Sequence, residues 1–263
     1  MSYFVIKCGG SVMDSLHPSF YQNIVGMLKQ NMKPIIVHGG GPGISSMLNK
    51  LKIETSFVDG MRVTTDDVLD VVEMILSGSM NKMIVRKLLE YGGDSIGISG
   101  VDGKLLQAGP AGSIEKLGYV GKVRKVNRKM VENFLDNDVI PVVSPVAIDD
   151  GGQRWNVNAD LAAAAIAKEF KAPLCLVTNV PGILKNEQVL PEVSTREIEQ
   201  LIEDQVITGG MIPKVNAVRE CLKEGINKVV ILDGTEKNAL KRLLNGEKIG
   251  TSVYFEPSFS KVL

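Results

Sequence analysis

The chain has 263 residues, 44% apolar and 23% charged, with 30 basic and 30 acidic side chains and no formal net charge. That length supports one large domain or two intimate ones around a sizeable core, and the ordinary composition with 27 scattered glycines excludes collagen-like, low-complexity and disordered chains. The balanced charge supplies no field for a nucleic-acid backbone or an anionic membrane, and the longest apolar run, Leu161 to Ala167, is far short of the roughly 20 residues a bilayer requires. Neither nucleic acid nor membrane is therefore expected as a partner. The segment from Met1 to Lys7 lacks a basic region ahead of a long apolar stretch, so no secretory signal is expected. Cys8, Cys175 and Cys221 are odd in number and widely spaced, which reads as reduced core thiols in a cytoplasmic protein.

Short β-branched runs alternate with longer segments of helical period, the pattern of βαβ units and a mainly parallel sheet. Tyr3 to Cys8 is expected as the first strand, Pro18 to Gln30 as a helix and Pro34 to His38 as the second strand. The run Gly39-Gly40-Gly41-Pro42-Gly43 opens a helix to about Leu51, and Asp59-Gly60 is the short-turn signal of a hairpin that carries Arg62. Two adjacent helices, Thr65 to Ser77 and Asn81 to Tyr91, follow. Ser95 to Ser99 and Val139 to Val143 read as buried strands, separated by a Gly-rich hairpin region from 102 to 125 and a helix near 128 to 136. Asn158 can cap an Ala-rich helix ending at Phe170, and Leu174 to Thr178 is another buried strand. Ser194-x-x-Glu197 forms a capping box for a helix to about Asp204, before a helix from Pro213 to Lys223 and a strand from Lys228 to Leu232. A change of lobe near 172 gives an N-terminal lobe of residues 1–172 and a C-terminal lobe of residues 173–263 sharing one sheet.

In open parallel sheets ligands sit beyond the carboxyl ends of the strands. Two glycine loops lie there, Lys7-Cys8-Gly9-Gly10-Ser11 and His38-Gly39-Gly40-Gly41-Pro42-Gly43. Their exposed backbone N–H groups, with a helix N-terminus after the second, suit phosphates and carboxylates, although Gly-rich turns are also simply common between strands and helices. The Walker A run, the dinucleotide G-x-G-x-x-G, protein-kinase signatures, G-x-S-x-G and H-E-x-x-H are all absent. Lys7 ends a buried strand, an awkward place for an ammonium without an anion nearby. Lys214, in the first turn of its helix, faces an adverse macrodipole that a ligand phosphate would relieve; a solvated surface lysine is the competing reading. Asn156-Val157-Asn158-Ala159-Asp160 can be a plain helix cap, or can present Asn156 and Asn158 on one side of an extended segment to read an amide-bearing ligand. Arg62 can grip a carboxylate bidentately or stand exposed.

Together, Lys7-Cys8-Gly9-Gly10, His38-Gly39-Gly40-Gly41, Gly60-Met61-Arg62-Val63-Thr64, Asn156-Val157-Asn158-Ala159-Asp160 and Gly209-Gly210-Met211-Ile212-Pro213-Lys214-Val215-Asn216 occur in the order and spacing of N-acetylglutamate kinases. The chain closely resembles that family over nearly its whole length. The resemblance implies an α/β, three-layer αβα sandwich with a mainly parallel central sheet running through two lobes, and ATP-dependent phosphorylation of the γ-carboxylate of N-acetyl-L-glutamate, the second step of arginine biosynthesis. A carboxylate of reference pKa about 4.3 is already ionised at neutral pH, so this reaction needs no general base. Positioning and electrostatic stabilisation should dominate.

By the same resemblance Lys7 and Lys214 are the cations on the transferring phosphoryl group, helped by Gly10, with Asp160 orienting both lysines. Gly40, Gly41, Arg62 and Asn156 bind the acceptor, with Asn158 assisting. ATP, with Mg²⁺ held mainly by its phosphates and no dedicated protein metal site, belongs with Gly9, the segment Asn179-Val180-Pro181-Gly182-Ile183-Leu184, and Val206, Ile207, Thr208, Gly209 and Met211. Asn179 stands where many relatives have aspartate. The family's arginine-inhibited members resemble one another in an additional N-terminal helix; the first strand here begins by Tyr3, which leads to the expectation of a homodimer with little arginine feedback, its interface including the helix from about Thr65 to Ser77. The resemblance leaves two other readings open: a kinase for an aminoadipate derivative one methylene longer, and a catalytically inactive amino-acid-binding regulatory protein on the same scaffold.

Overall fold

The computed structural model describes residues 2–58, 60–209, 211–226 and 228–256. Eight strands form one sheet in the order Glu192–Ser194, Thr251–Tyr254, Lys228–Asp233, Leu174–Thr178, Ser2–Cys8, Met32–His38, Ile140–Ser144 and Ser95–Ser99. Every neighbouring pair is parallel except Lys228–Asp233 with Thr251–Tyr254. The Ser2–Cys8 strand is central: Val5 pairs with Leu174 on one side and Ile35 on the other, so one sheet runs through both halves of the chain.

Alternation along this strand divides the core into two layers, because successive strand side chains point to opposite faces. Val5 joins Ile35, Val37, Leu174 and Leu176 on the face covered by the Ala159–Phe170 helix, whose Ala162, Ala163, Ile166 and Phe170 are buried in the same cluster. Ile6 and Cys8 join Ile36 and Cys175 on the other face, under Phe20, Tyr21, Ile24 and Met27 of the Pro18–Lys29 helix and Ile84 and Leu88 of the Asn81–Glu90 helix. The architecture is therefore α/β, with helices on both sides of a mainly parallel sheet.

Two regions differ from the sequence expectation. The segments expected as separate helices, Thr65 to Ser77 and Asn81 to Tyr91, run on without a break: Asp66–Glu73, π-helical turns over Met74–Met80, then Asn81–Glu90. Val68, Val72, Leu76, Met80, Ile84 and Leu88 recur at four-residue steps. At 3.6 residues per turn such a ladder drifts round an α-helix by about 40° per step, and the wider π turns absorb that drift. The Gly-rich hairpin, Leu106–Pro110 against Val120–Val126, is half of a closed four-stranded barrel completed by Val146–Ile148 and Arg154–Val157. Trp155, on the last of these strands, is buried, with its indole Nε1 donating to Asp149 Oδ2 at 3.1 Å and its ring edge-on to Tyr119. A helix, Ala239–Leu244, and the antiparallel Thr251–Tyr254 strand complete the C-terminal half.

Candidate active site

A cleft of about 410 Å³ opens at the carboxyl ends of the central strands. It brings together eleven of the residues singled out from the sequence: Lys7, Gly9, Gly10, Gly40, Gly41, Arg62, Asn156, Asn158, Asp160, Asn179 and Lys214. These come from segments up to about 200 residues apart, joined by the sheet register that sets Cys8 beside both His38 and Val177.

The two glycine loops touch. A Cβ on Gly10 would stand 2.7 Å from both Cα and N of Gly40, so backbone packing excludes a side chain there, whereas one on Gly40 would meet the Leu76 side chain, 2.6 Å from its Cδ2. The loops are tied to the strand ends by Gly9 N–H on the Val177 carbonyl at 3.2 Å and Gly39 N–H on the Cys8 carbonyl at 3.0 Å. Gly41 begins the Gly41–Leu51 helix, whose first N–H groups lack intrahelical acceptors.

Lys7 shares the strand face of Val5 and meets Asp160 in the first turn of the Ala159–Phe170 helix; Lys7 Nζ and Asp160 Oδ1 are 2.8 Å apart. Asn158 caps that helix, its Oδ1 accepting from the N–H groups of Asp160 at 2.8 Å and Leu161 at 3.3 Å. Lys214, the fourth residue of the Met211–Lys223 helix, donates instead to Asn179 Oδ1 at 3.3 Å. Burial lowers the Lys214 pKa below that of an ordinary lysine; Asp233 opposes the shift and the nearby Lys7 ammonium adds to it. An anion between the two ammonium groups would relieve this tension.

Arg62 sits on the hairpin formed by Phe57–Val58 and Met61–Arg62, while Asp59 at its turn lies outside the described residues. Its guanidinium donates to Ser45 Oγ at 2.7 Å, Thr55 Oγ1 at 3.2 Å and the Gly41 carbonyl at 3.4 Å, and lies 4.6 Å from the centre of the Phe57 ring. Burial lowers its pKa too, without costing an arginine its charge near neutral pH. Asn156, in the barrel strand Arg154–Val157, donates from Nδ2 to Thr64 Oγ1 at 3.0 Å, and Thr64 donates on to the Arg62 carbonyl at 2.8 Å.

The remaining residues expected near nucleotide do not line the cleft: Val180, Pro181, Gly182, Ile183, Leu184, Val206, Ile207, Thr208, Gly209 and Met211. Ile183 and Ile207 are buried core residues, while Leu184, Thr208 and Gly209 are exposed. Gly210 lies outside the described residues. Phe57, Leu76 and Thr178 line the cleft although they belong to none of the five motifs. Ser45, one helical turn after Gly41, was a legible partner for Arg62; Asp233 could have been found as the polar end of its strand. Cys8, beside Lys7, is packing: burial pushes its thiol up to about 12. Cys175 and Cys221 are likewise buried free thiols with raised pKa.

Chemically, the cleft offers two ammonium groups, a run of glycine N–H groups and a braced guanidinium around one space. That set suits a polyphosphate meeting a carboxylate. Among the described residues no group of three or more His, Cys, Asp or Glu side chains is placed to hold a metal ion.

Comparison with known proteins agrees with this geometry. An acetylglutamate kinase of Geobacillus stearothermophilus is 50% identical over 231 residues, covering 88% of this chain and 89% of that protein. One of Oceanobacillus iheyensis is 44% identical over 257 residues, covering 95% and 96%. The crystal structure of smu.665 from Streptococcus mutans superposes with a TM-score of 0.82 at 29% identity, covering 96% of this chain and 98% of that one. A carbamate kinase from Giardia lamblia, at 17% identity and a TM-score of 0.65 over 97% of this chain and 99% of its own, shares the fold. Residues 2–233, the span that holds both glycine loops and both lysines, match the amino acid kinase family, and the chain belongs to it.

Proposed function

We propose that the protein acts as an acetylglutamate kinase, transferring the γ-phosphoryl group of ATP to the γ-carboxylate of N-acetyl-L-glutamate to give N-acetyl-L-glutamyl 5-phosphate and ADP, the second step of arginine biosynthesis. The observation that carries this reading is one cleft in which two lysines and two touching glycine loops face Arg62 and Asn156, in a chain half identical to a protein of that name. A carboxylate oxygen attacks the γ-phosphorus as the bond to the β-phosphate oxygen breaks, and ADP leaves with the electron pair. Charge spreads over the transferring oxygens.

Lys7 and Lys214 neutralise that charge, and the Gly10 N–H adds a fixed dipole. Asp160 takes no proton; it holds Lys7 in line through the 2.8 Å pair. Gly40 and Gly41 bind the acceptor through backbone N–H groups, Arg62 grips a carboxylate of the acceptor with the donors its braces leave over, and Asn156 reads the amide, with Asn158 shaping the wall. ATP lies on the side of Lys214 and Asn179, in the lobe of residues 173–263, and the acceptor on the side of residues 1–172. Gly9 and Asn179, both in the cleft lining, border the nucleotide. The cations and amides present fit phosphates that bring Mg²⁺ with them.

The protein works in the cytoplasm as a homodimer. Exposed Met74, on the helical run after the hairpin, supports an interface there, and light scattering reads the oligomer directly. Among the described residues no helix is long and apolar enough to cross a membrane. The test of function is ATP-dependent acyl-phosphate formation, trapped with hydroxylamine. N-acetyl-L-glutamate is compared with glutamate, aspartate, N-acetylaspartate and N-acetyl-aminoadipate. Preference for N-acetyl-L-glutamate is expected; turnover confined to the longer analogue overturns the acceptor, and no turnover with any of them overturns the kinase.

A further inference from the structure

We propose that His38, locked by Asn81, is a positioning residue whose Nδ1–H turns the Gly39–Gly40 peptide so that the Gly40 N–H faces the cleft, an inference that rests on the reading of this cleft as the acceptor site. His38 ends the Met32–His38 strand with its side chain wholly buried. Its Nδ1 lies 3.0 Å from the Gly39 carbonyl oxygen, which can only accept, so Nδ1 carries the hydrogen. Asn81 determines the other nitrogen. Its Nδ2 donates to the Val142 carbonyl at 2.9 Å and lies 3.2 Å from His38 Nε2, while its Oδ1 accepts from Lys82 Nζ at 3.1 Å. That arrangement leaves Nε2 as an acceptor and matches a neutral imidazole with hydrogen on Nδ1 alone. Burial holds the ring in that neutral form, its pKa lowered to about 4, with the Gly39 bond opposing and the Lys82 charge reinforcing the shift.

The consequence for the loop comes from the peptide bond. In a trans peptide the C=O of one residue and the N–H of the next lie in one plane and point in opposite directions. Securing the Gly39 oxygen against His38 therefore aims the Gly40 N–H the other way, toward Gly10 and the open space both loops line. The preceding His38–Gly39 peptide is held as well, its Gly39 N–H donating to the Cys8 carbonyl at 3.0 Å, so the chain enters the Gly39–Gly40 peptide from a fixed strand end. Among the described residues the Gly40 N–H has no backbone acceptor, as a donor kept for a ligand would be. Asn81 packs against the bare backbone of Gly97, where a Cβ would stand 1.7 Å from its Oδ1, so only glycine at position 97 leaves Asn81 this place. It also directly follows the π-helical turns whose Leu76 packs on Gly40, so one helical irregularity serves both contacts.

The test compares His38→Asn with His38→Gln. Asparagine can place an amide nitrogen where Nδ1 stands and still donate to the Gly39 oxygen; glutamine places its polar end near Nε2 and cannot. In the hydroxylamine assay His38→Gln is expected to raise the KM for N-acetyl-L-glutamate about tenfold or more, with the KM for ATP unchanged, and His38→Asn is expected to recover most of that loss at a similar melting temperature. Equal losses in the two variants, or a loss confined to kcat, overturn the positioning role. The backbone 15N–1H resonance of Gly40 reads the same question without turnover: one sharp signal in wild type and His38→Asn, and a shifted or doubled one in His38→Gln. If wild type phosphorylates none of the acceptors, the function falls while this resonance still decides the role of His38, and an unchanged Gly40 signal in His38→Gln overturns it.

Discussion

The two lysines of the cleft stand in opposite circumstances. Lys7 comes from a strand buried between two others and is already paired with a carboxylate, Asp160, at 2.8 Å. Lys214 comes from a helix start, hydrogen-bonds the neutral amide of Asn179, and has a pKa lowered by burial and by Lys7 against the pull of Asp233. The first is braced whether or not substrate is present; the second carries a charge that its surroundings do not fully compensate. The difference teaches how a site for a polyanion can be prepared in advance: one cation is held rigidly by an internal partner, and the other is left for the ligand to complete. Preorganised charge of this kind stabilises a transition state without reorganisation at the moment of reaction.

The strongest attempt to break the comparison is removal of each ammonium. Lys7→Ala and Lys214→Ala are each expected to lower kcat about 100- to 1,000-fold in the hydroxylamine assay, but Lys7→Ala alone also orphans a carboxylate and should lower the melting temperature. Equal melting temperatures would show that the Lys7–Asp160 pair is not the brace described. Gly10→Ala comes next. Its Cβ would meet backbone atoms of Gly40 at 2.7 Å, so the loops must part, and kcat/KM is expected to fall roughly 100-fold. Gly41→Ala meets nothing within 4 Å and should leave thermal stability unchanged.

Asp160→Asn sharpens the contrast further. With the charged partner gone, kcat should fall roughly tenfold or more, and in spectra of ε-13C-labelled lysine the Lys7 signal should move while that of Lys214 stays. The smallest effect concerns Lys214 and pH. Its folded pKa lies below its unfolded value, so the charged form opposes folding at neutral pH, and that opposition fades as pH rises through the folded pKa. Lys214→Met is therefore expected to raise the melting temperature of the nucleotide-free protein by about 2 °C and to lose the further rise that ATP gives wild type. As pH is raised, ATP affinity in wild type should begin to fall earlier than the discharge of an ordinary lysine would allow, because burial lowers the Lys214 pKa.

Much of the fold is legible because it is local. The Ser194–Glu197 capping box, the Asn158 cap and the buried strand runs each signal themselves within a few residues, and the structure has them within a residue or two of the expected bounds. The barrel is not legible. Arg154–Val157 has four residues and its hairpin partner Val146–Ile148 only three, too short for a periodicity, while its parallel partner Val120 lies outside any local window. The continuous helix through Met74–Met80 is hidden for a related reason: Ser77, Gly78 and Ser79 read as a break, while tertiary packing of Leu76 and Met80 on Gly40 carries the helix across.

The site divides in the same way. Residue chemistry along the chain determines which groups are available: the glycines that alone allow the loops to touch, two lysines in places where a charge needs a partner, an arginine after a turn and an asparagine at a cap. It determines the α/β class as well, since strand and helix periods are local properties of the pattern. Which of those groups meet is decided by the parallel register of the Ser2–Cys8 strand between Met32–His38 and Leu174–Thr178. So is the choice of Asp160 for Lys7 and of Asn179 for Lys214, and so is the burial that holds His38 neutral behind the glycine loop. Distances between side chains so far apart in sequence, and the desolvation that shifts their proton affinities, exist only once the sheet has brought the strand ends together.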